Sequence, residues 1–158
     1  MSAGETIAAE IKKSPNRSPR HRARELALQG IYQWRITAGD HAQIERQILA
    51  EKHLGRYDKE LFSRLLRGAL DRHHDLEELL APHLDRPLEE LSPVEFAVLL
   101  LGTFELSQHL EVPYKVVINE AVELAKTFGG TDGHKFVNGV LDKLAPQLRV
   151  PEFSGSAS

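Results

Sequence analysis

Cysteine is absent from the 158 residues. That removes a disulfide framework, a thiolate nucleophile and any thiolate metal site, and it fits a reducing compartment. Long apolar runs are missing too. The longest, Phe96 to Leu101, has the length of a buried helix segment, far short of the roughly 20 residues that span a bilayer. The N-terminus lacks the apolar stretch of a secretory signal. These absences predict a soluble, cytoplasmic chain with no membrane partner. The sequence holds no phosphate-cradling glycine loop with its lysine, no G-x-G-x-x-G and no H-E-x-x-H. It also shows no alternating strand pattern and no internal repeat.

Catalytic groups are equally hard to find. His74 and Glu78 sit one helical turn apart, but two ligands are too few for a metal and their face is charged. A solvated helix face explains them. Glu77-Glu78 and Glu89-Glu90 read as surface or first-turn charge, which is favourable near helix N-termini. Serines near His109 and His134 lack the strand-turn context of a nucleophile. No enzyme activity, metal or cofactor is expected.

What is present is helical periodicity and uneven charge. Residues 1–24 carry six basic side chains (Lys12, Lys13, Arg17, Arg20, Arg22, Arg24) against Glu5 and Glu10, a balance of +4. The remaining residues balance at -7, giving -3 overall. A basic arm on an acidic body suggests a local anion-binding site; a solvated tail is the plainer alternative. Residues 1–17 read as a flexible basic leader, 18–149 as one helical domain, and 150–158 as a disordered tail.

Ser18-Pro19 can cap and open a helix. Ala23, Leu26, Ala27, Ile31 and Trp34 follow at helical spacing. Gly39-Asp40 ends that helix and opens another, with Ile44, Ile48 and Leu49 as a weak apolar stripe to His53. Asp58 starts a strong helix through Leu61, Phe62, Leu65, Leu66, Ala69 and Leu70. Its pattern continues to Leu79-Leu80, with a break near His73-His74. Pro82 and Pro87 mark a loop. Ser92-Pro93-Val94-Glu95 spells a capping box. The helix beyond it is apolar nearly all round, as a central helix is, and Gly102 allows close packing there.

The most informative run is Pro113 to Pro146. It reads as two amphipathic helices joined at Gly129-Gly130, where positive φ is expected. The first buries Val117, Ile118, Ala121, Val122, Ala125 and Phe128. Thr131 or Asp132 caps the second, which buries Phe136, Val137, Val140, Leu141 and Leu144. Pro146 and Pro151 end the order. The fold class is all-α, with six or seven helices.

That run resembles the signature of the NusB transcription antitermination family. Supporting pieces are Arg20-His21-Arg22-Ala23-Arg24-Glu25-Leu26-Ala27-Leu28-Gln29, Ile31-Tyr32-Gln33-Trp34, and Val94 to Leu99 leading to Phe104-Glu105-Leu106. The resemblance covers roughly residues 18 to 149. It implies two packed three-helix bundles and no catalysis. It implies binding of single-stranded boxA RNA in nascent transcripts, chiefly of ribosomal RNA operons, at the transcription elongation complex. It also implies a complex with NusE, a small-subunit ribosomal protein.

Carried onto this chain, the RNA-binding candidates are Arg20, His21, Arg22 and Arg24 at a helix start. Guanidinium groups pair with phosphates or stack on bases, and positive charge there opposes the helix dipole, so stability explains it poorly. Phe128, Asp132, Lys135 and Phe136 flank the glycine turn. Unstacked bases lie on aromatic rings beside cations; for both phenylalanines core packing is the alternative, and for Asp132 it is helix capping. Tyr32 and Glu95 are the partner-docking candidates, with capping the alternative for Glu95. Phe96 and Leu101 stand where the family commonly has basic residues. An exposed Phe96 would add apolar surface and favour self-association. His21 interrupts the arginine run and brings a pH-sensitive group to it.

Three rivals remain. One is a protein-interaction module with an idle arm. Another is kinship with the NusB-like domains fused to ribosomal RNA cytosine methyltransferases, whose catalytic cysteines this chain lacks. A DNA-binding helical domain is the weakest, because no recognition helix studded with base-reading residues is found.

Overall fold

A computed structural model describes residues 18–154. Among them the regular structure is helical, with eight α-helices and two short 3-10 turns and no strand. The all-α reading holds; the helix count is one above the expected range. The described residues fall into two compact units that divide after Asp71. The leader at 1–17 and the last four residues of the expected tail lie outside the described residues.

The first unit holds α1 (Pro19–Thr37), α2 (His41–Leu49) and α3 (Lys59–Asp71), all three in mutual contact. The Ser18 hydroxyl accepts from the His21 amide at 3.1 Å, and Pro19 takes the first helical position. Asp40 Oδ2 accepts from Gln43 N at 3.0 Å and opens α2. Asp58 Oδ1 accepts from Leu61 N at 2.9 Å and opens α3. These side chains satisfy amides that a helix start leaves unpaired. Gly30 lets α1 approach its neighbours: a Cβ there would stand 2.5 Å from Leu66 Cδ1 and 3.0 Å from Ile48 Cδ1.

Two local details depart from expectation. The left-handed residue that ends α1 is Ala38 (φ 52), not Gly39, and its amide donates to the Trp34 carbonyl. The second helix stops at Leu49, before the expected His53, and leaves Leu49 exposed.

The second unit holds α4 (His73–Leu80), the 3-10 turns Ala81–His83 and Leu88–Glu90, α5 (Pro93–Gln108), α6 (Tyr114–Phe128), α7 (Gly133–Leu148) and α8 (Val150–Ser154). The break expected near His73-His74 falls at Arg72, between α3 and α4. Helices α5, α6 and α7 pack on one another, with α4 and α8 added to them. The capping box of α5 forms in full: Ser92 Oγ accepts from Glu95 N at 3.1 Å, and Glu95 Oε1 accepts from Ser92 N at 3.4 Å. From Phe96 to Leu106 every residue of α5 is buried. Gly102 sits where an added Cβ would meet Leu141 Cδ1 at 3.1 Å and Ala121 Cβ at 3.7 Å, so α6 and α7 both close in on it.

Phe96 is 0% and Leu101 2% exposed. The condition for a sticky outer face, an exposed Phe96, is therefore not met. Burying such a ring is worth roughly 1.5–3 kcal/mol relative to exposure, and α4, α6 and α7 all pack against the helix that carries it.

The end of the chain differs most from expectation. Pro146 lies inside α7, which runs on to Leu148. Its missing N–H would have bonded the carbonyl of Asp142, an exposed residue. Val150–Ser154 then forms a short helix where disorder is expected. Arg149, 2% exposed, explains why. It donates to the carbonyls of Leu106 (2.6 Å), Val112 (2.8 Å), His109 (2.9 Å) and Glu105 (3.1 Å), and pairs with Glu152. Three of these carbonyls belong to the last turn and cap of α5; those of Glu105 and His109 also accept from the amides of His109 and Val112, so the guanidinium adds a second donor to them. Glu152 Oε2 accepts in turn from Tyr114 N at 3.0 Å, and Phe153 stacks on Tyr114 with ring centres 4.6 Å apart.

Candidate nucleic-acid interface

In the first unit, the basic run sits on the opening turns of α1. Arg20 is exposed, Arg22 is half-buried, and His21 and Arg24 are buried. Arg22 donates from Nε to the Leu54 carbonyl at 2.8 Å and from Nη1 to Glu25 Oε1 at 3.2 Å. His21 Nε2 lies 3.7 Å from Glu25 Oε2. Glu25 is 1% exposed, so the Arg22 guanidinium balances a buried carboxylate. Such a charge is costly without partners. Arg22 thus has a structural duty that reading the helix-start run as a phosphate clamp leaves out. Arg20 alone among them stands fully at the surface.

Tyr32 is buried at 3% exposure, and that burial raises its phenol pKa above the ordinary value. It presents little docking surface. Ile36, four residues on, is 52% exposed.

In the second unit, the turn between α6 and α7 brings four candidates close in sequence. Gly129 is not at positive φ; its backbone is extended (φ -94, ψ -178). Glycine is needed there for room, because a Cβ would stand 2.7 Å from the Ala125 carbonyl oxygen. Asp132 occupies the cap position of α7, but its side chain makes no capping bond. It faces Lys135 Nζ at 3.5 Å instead, with both side chains more than 70% exposed. A pair so open to water contributes little to stability.

Neither phenylalanine belongs to the core. Phe128 and Phe136 are both half-buried, against the expectation that the helix stripes bury them. The Arg86 guanidinium lies over the Phe136 ring, 4.8 Å from its centre. That is the arrangement favoured by the negative face of an aromatic ring. Arg86 comes from the proline loop between α4 and α5, so helical periodicity gave no sign of it. It also grips Asp85, with Nε to Oδ1 at 2.9 Å and Nη2 to Oδ2 at 3.3 Å. Hydrogen bonding from Arg86 is the main reason why the Asp85 carboxyl is held below its usual pKa. Beside them is a cavity of about 150 Å³ lined by His83, Asp85, Lys135, Phe136, Gly139 and Lys143, among others.

Glu95 is half-buried at the start of α5. Its Oε1 completes the capping box, and its Oε2 would be 3.6 Å from a Cβ on Gly133. Capping is thus a role it performs here. On α4, the structure groups His73, His74 and Glu77 rather than His74 and Glu78, with ligand atoms within 4.8 Å of one another. A 2.6 Å contact between His73 Nδ1 and Glu77 Oε2, one turn apart, accounts for most of that cluster.

The NusB family profile matches residues 21–146. The chain belongs to the NusB family. Its members are transcription antitermination factors, not enzymes. The transcription antitermination protein NusB of Burkholderia cenocepacia (strain HI2424) is 55% identical over 136 residues, covering 86% of this chain and 94% of that protein. The NusB of Aromatoleum aromaticum is 54% identical over 143 residues, covering 90% and 99%. Among solved structures, T. maritima NusB aligns with a TM-score of 0.76 at 32% identity over 88% of this chain and 99% of that one. NusB crystallised with NusE and dsRNA aligns at 0.70 and 24% identity, over 80% and 96%, and at that distance it shares the fold. No helix among the described residues is long and apolar enough to cross a membrane.

Proposed function

We propose that this protein binds single-stranded boxA-type RNA of nascent transcripts, chiefly ribosomal RNA, together with NusE, and acts at the transcription elongation complex. The observation that carries the RNA reading is that Phe128 and Phe136, on either side of the α6–α7 turn, are both half-exposed, with the Arg86 guanidinium over the Phe136 ring and Lys135 lining the same cavity as that ring. A core would have covered both rings. Rings left open next to cations suit unstacked bases and flanking phosphates. Arg20 adds a surface guanidinium for phosphate. Membership of the NusB family is the ground for boxA and for NusE. Glu95 is the preferred docking residue, since its carboxylate is partly exposed beyond the capping box; Tyr32 contributes only its rim.

The test is fluorescence anisotropy with boxA-type RNA and a scrambled strand, at several salt concentrations, with and without NusE. Sequence-selective binding that NusE strengthens is expected. Binding of NusE with no RNA affinity in either condition would leave a protein-interaction module in its place.

A further inference from the structure

The first unit holds a cavity that the basic run of α1 does not account for. Its volume is about 340 Å³, and Pro19, Gly55, Arg56, Tyr57 and Lys59 line it. Small-ligand sites have volumes of roughly 300–1,000 Å³. Pro19 and Lys59 are the first residues of α1 and α3, and the others come from the connection between α2 and α3. Two hydrogen bonds fix that connection against α1. Arg22 Nε donates to the Leu54 carbonyl at 2.8 Å on one side, and the Asp58 amide donates to the Pro19 carbonyl at 3.0 Å on the other. Between them Gly55 turns the chain at φ 75, which glycine adopts without strain. The Tyr57 ring stands edge-on to Phe62 with centres 5.9 Å apart, and Phe62 is 1% exposed. The walls are therefore held in place by contacts outside the cavity.

The two cations of the wall are held by nothing comparable. Arg56 and Lys59 are exposed, and among the described residues neither side chain makes an ion pair or a hydrogen bond. Arg22 and Arg67, by contrast, are paired with Glu25 and Glu45. No acidic residue is among the described residues that line the cavity. The nearest in sequence, Asp58, turns its Oδ1 to the Leu61 amide. Lys59 stands in the first turn of α3, where positive charge opposes the helix dipole, so helix stability does not account for it. Two uncommitted cations beside a fixed hollow with no acid in its wall suit an anionic ligand.

We infer that this cavity is a phosphate subsite for the RNA strand, in which Arg56 and Lys59 donate to backbone phosphate oxygens and Tyr57 walls the space for the attached ribose. This assignment rests on the RNA-binding reading above, and it adds contacts that lie outside the arginine run. Phosphate and sugar are common to every nucleotide, so the subsite adds affinity without sequence preference.

The experiment uses the full chain with NusE, and titrates boxA-type and scrambled RNA by anisotropy over a salt series. Arg56→Gln combined with Lys59→Gln should weaken both RNAs by the same factor, about tenfold or more at low salt, as the loss of charge-assisted hydrogen bonds does. The salt slope should fall in magnitude by about 1.4, at about 0.7 for each phosphate contact on a single strand. Arg46→Gln removes an exposed cation of the same unit that does not line the cavity, and it should leave affinity and slope near those of the wild type. Melting temperatures should match the wild type throughout, because Arg56 and Lys59 hold no partner among the described residues. Inorganic phosphate, added at constant ionic strength, should compete with RNA on the wild type and lose that effect on the double variant. An unchanged slope in the double variant, a loss confined to boxA-type RNA, or an equal loss from Arg46→Gln overturns the subsite and leaves RNA binding standing. Phosphate binding that the double variant abolishes while RNA affinity stays intact overturns it in favour of a site for a free anion. No binding of either RNA by the wild type removes the RNA reading and the subsite with it.

Discussion

Asp132 shows how a single side chain changes meaning once its neighbours are known. Its position at the head of α7 suggests a cap, yet the carboxylate makes no capping bond and faces Lys135 at the surface. Asp132→Asn therefore sacrifices no cap and removes a negative charge from the turn between Phe128 and Phe136. RNA affinity should rise in the variant, with little change in melting temperature. A titration giving equal or weaker affinity would count against an RNA strand passing this turn.

Glu152 carries a second residue-scale prediction. Burial pushes its carboxyl pKa up, but the amide of Tyr114 and the guanidinium of Arg149 outweigh that and leave it below 4.5. A group depressed on folding stabilises the native state above its unfolded pKa and loses that contribution as pH falls through the folded value. Glu152→Gln should melt earlier than wild type at neutral pH. The gap should shrink as pH drops below about 4.5. Melting curves across that range decide it; a gap that stays constant into acid would show that the carboxylate charge is immaterial.

At the scale of the element, the α6–α7 turn separates two glycines that look alike in sequence. A Cβ on Gly129 would press on the Ala125 carbonyl at 2.7 Å, whereas one on Gly130 would meet nothing within 4 Å. Gly129→Ala should cost about 1–3 kcal/mol, the usual range for overpacking. Gly130→Ala should be neutral or stabilise by up to about 1 kcal/mol, because it restricts the unfolded chain. Urea denaturation measures both; equal losses at the two positions would contradict the geometry. Helix order was legible in the sequence because apolar spacing and caps are local signals: Ser18, Asp40, Asp58 and the Ser92–Glu95 box all open the helices they announce. Ala38 in a left-handed conformation and Pro146 inside α7 were not legible. Each goes against local preference, so only the surrounding contacts can hold it.

For the whole molecule, the site is the level at which the sequence said least. The basic run marked a place, but burial divides it: Arg24 is 2% exposed, while Arg20 stands free of the core. Arg86 and Phe136 are fifty positions apart, and no periodic pattern joins a loop residue to a helix face over that distance. The same division sets the salt response. Arg20→Ala should lower the salt slope of RNA binding by about one phosphate contact and leave stability within about 0.5 kcal/mol of wild type. Arg24→Ala should instead lower the melting temperature, since it removes a buried cation. Anisotropy over a salt series, run beside thermal melts, separates the two effects. An unchanged slope for Arg20→Ala would free that residue of any phosphate role.

The Arg149 fork has a further consequence for how the chain is made. The central helix of the second unit ends in carbonyls whose side-chain donor arrives more than forty residues later. While a ribosome is still adding the last helices, that end stays open to water, and the unit cannot latch until residue 149 has left the exit tunnel. Any chain cut before that point would keep its most apolar helix but lose the clasp that shuts it, and would meet the cell's proteases half-closed.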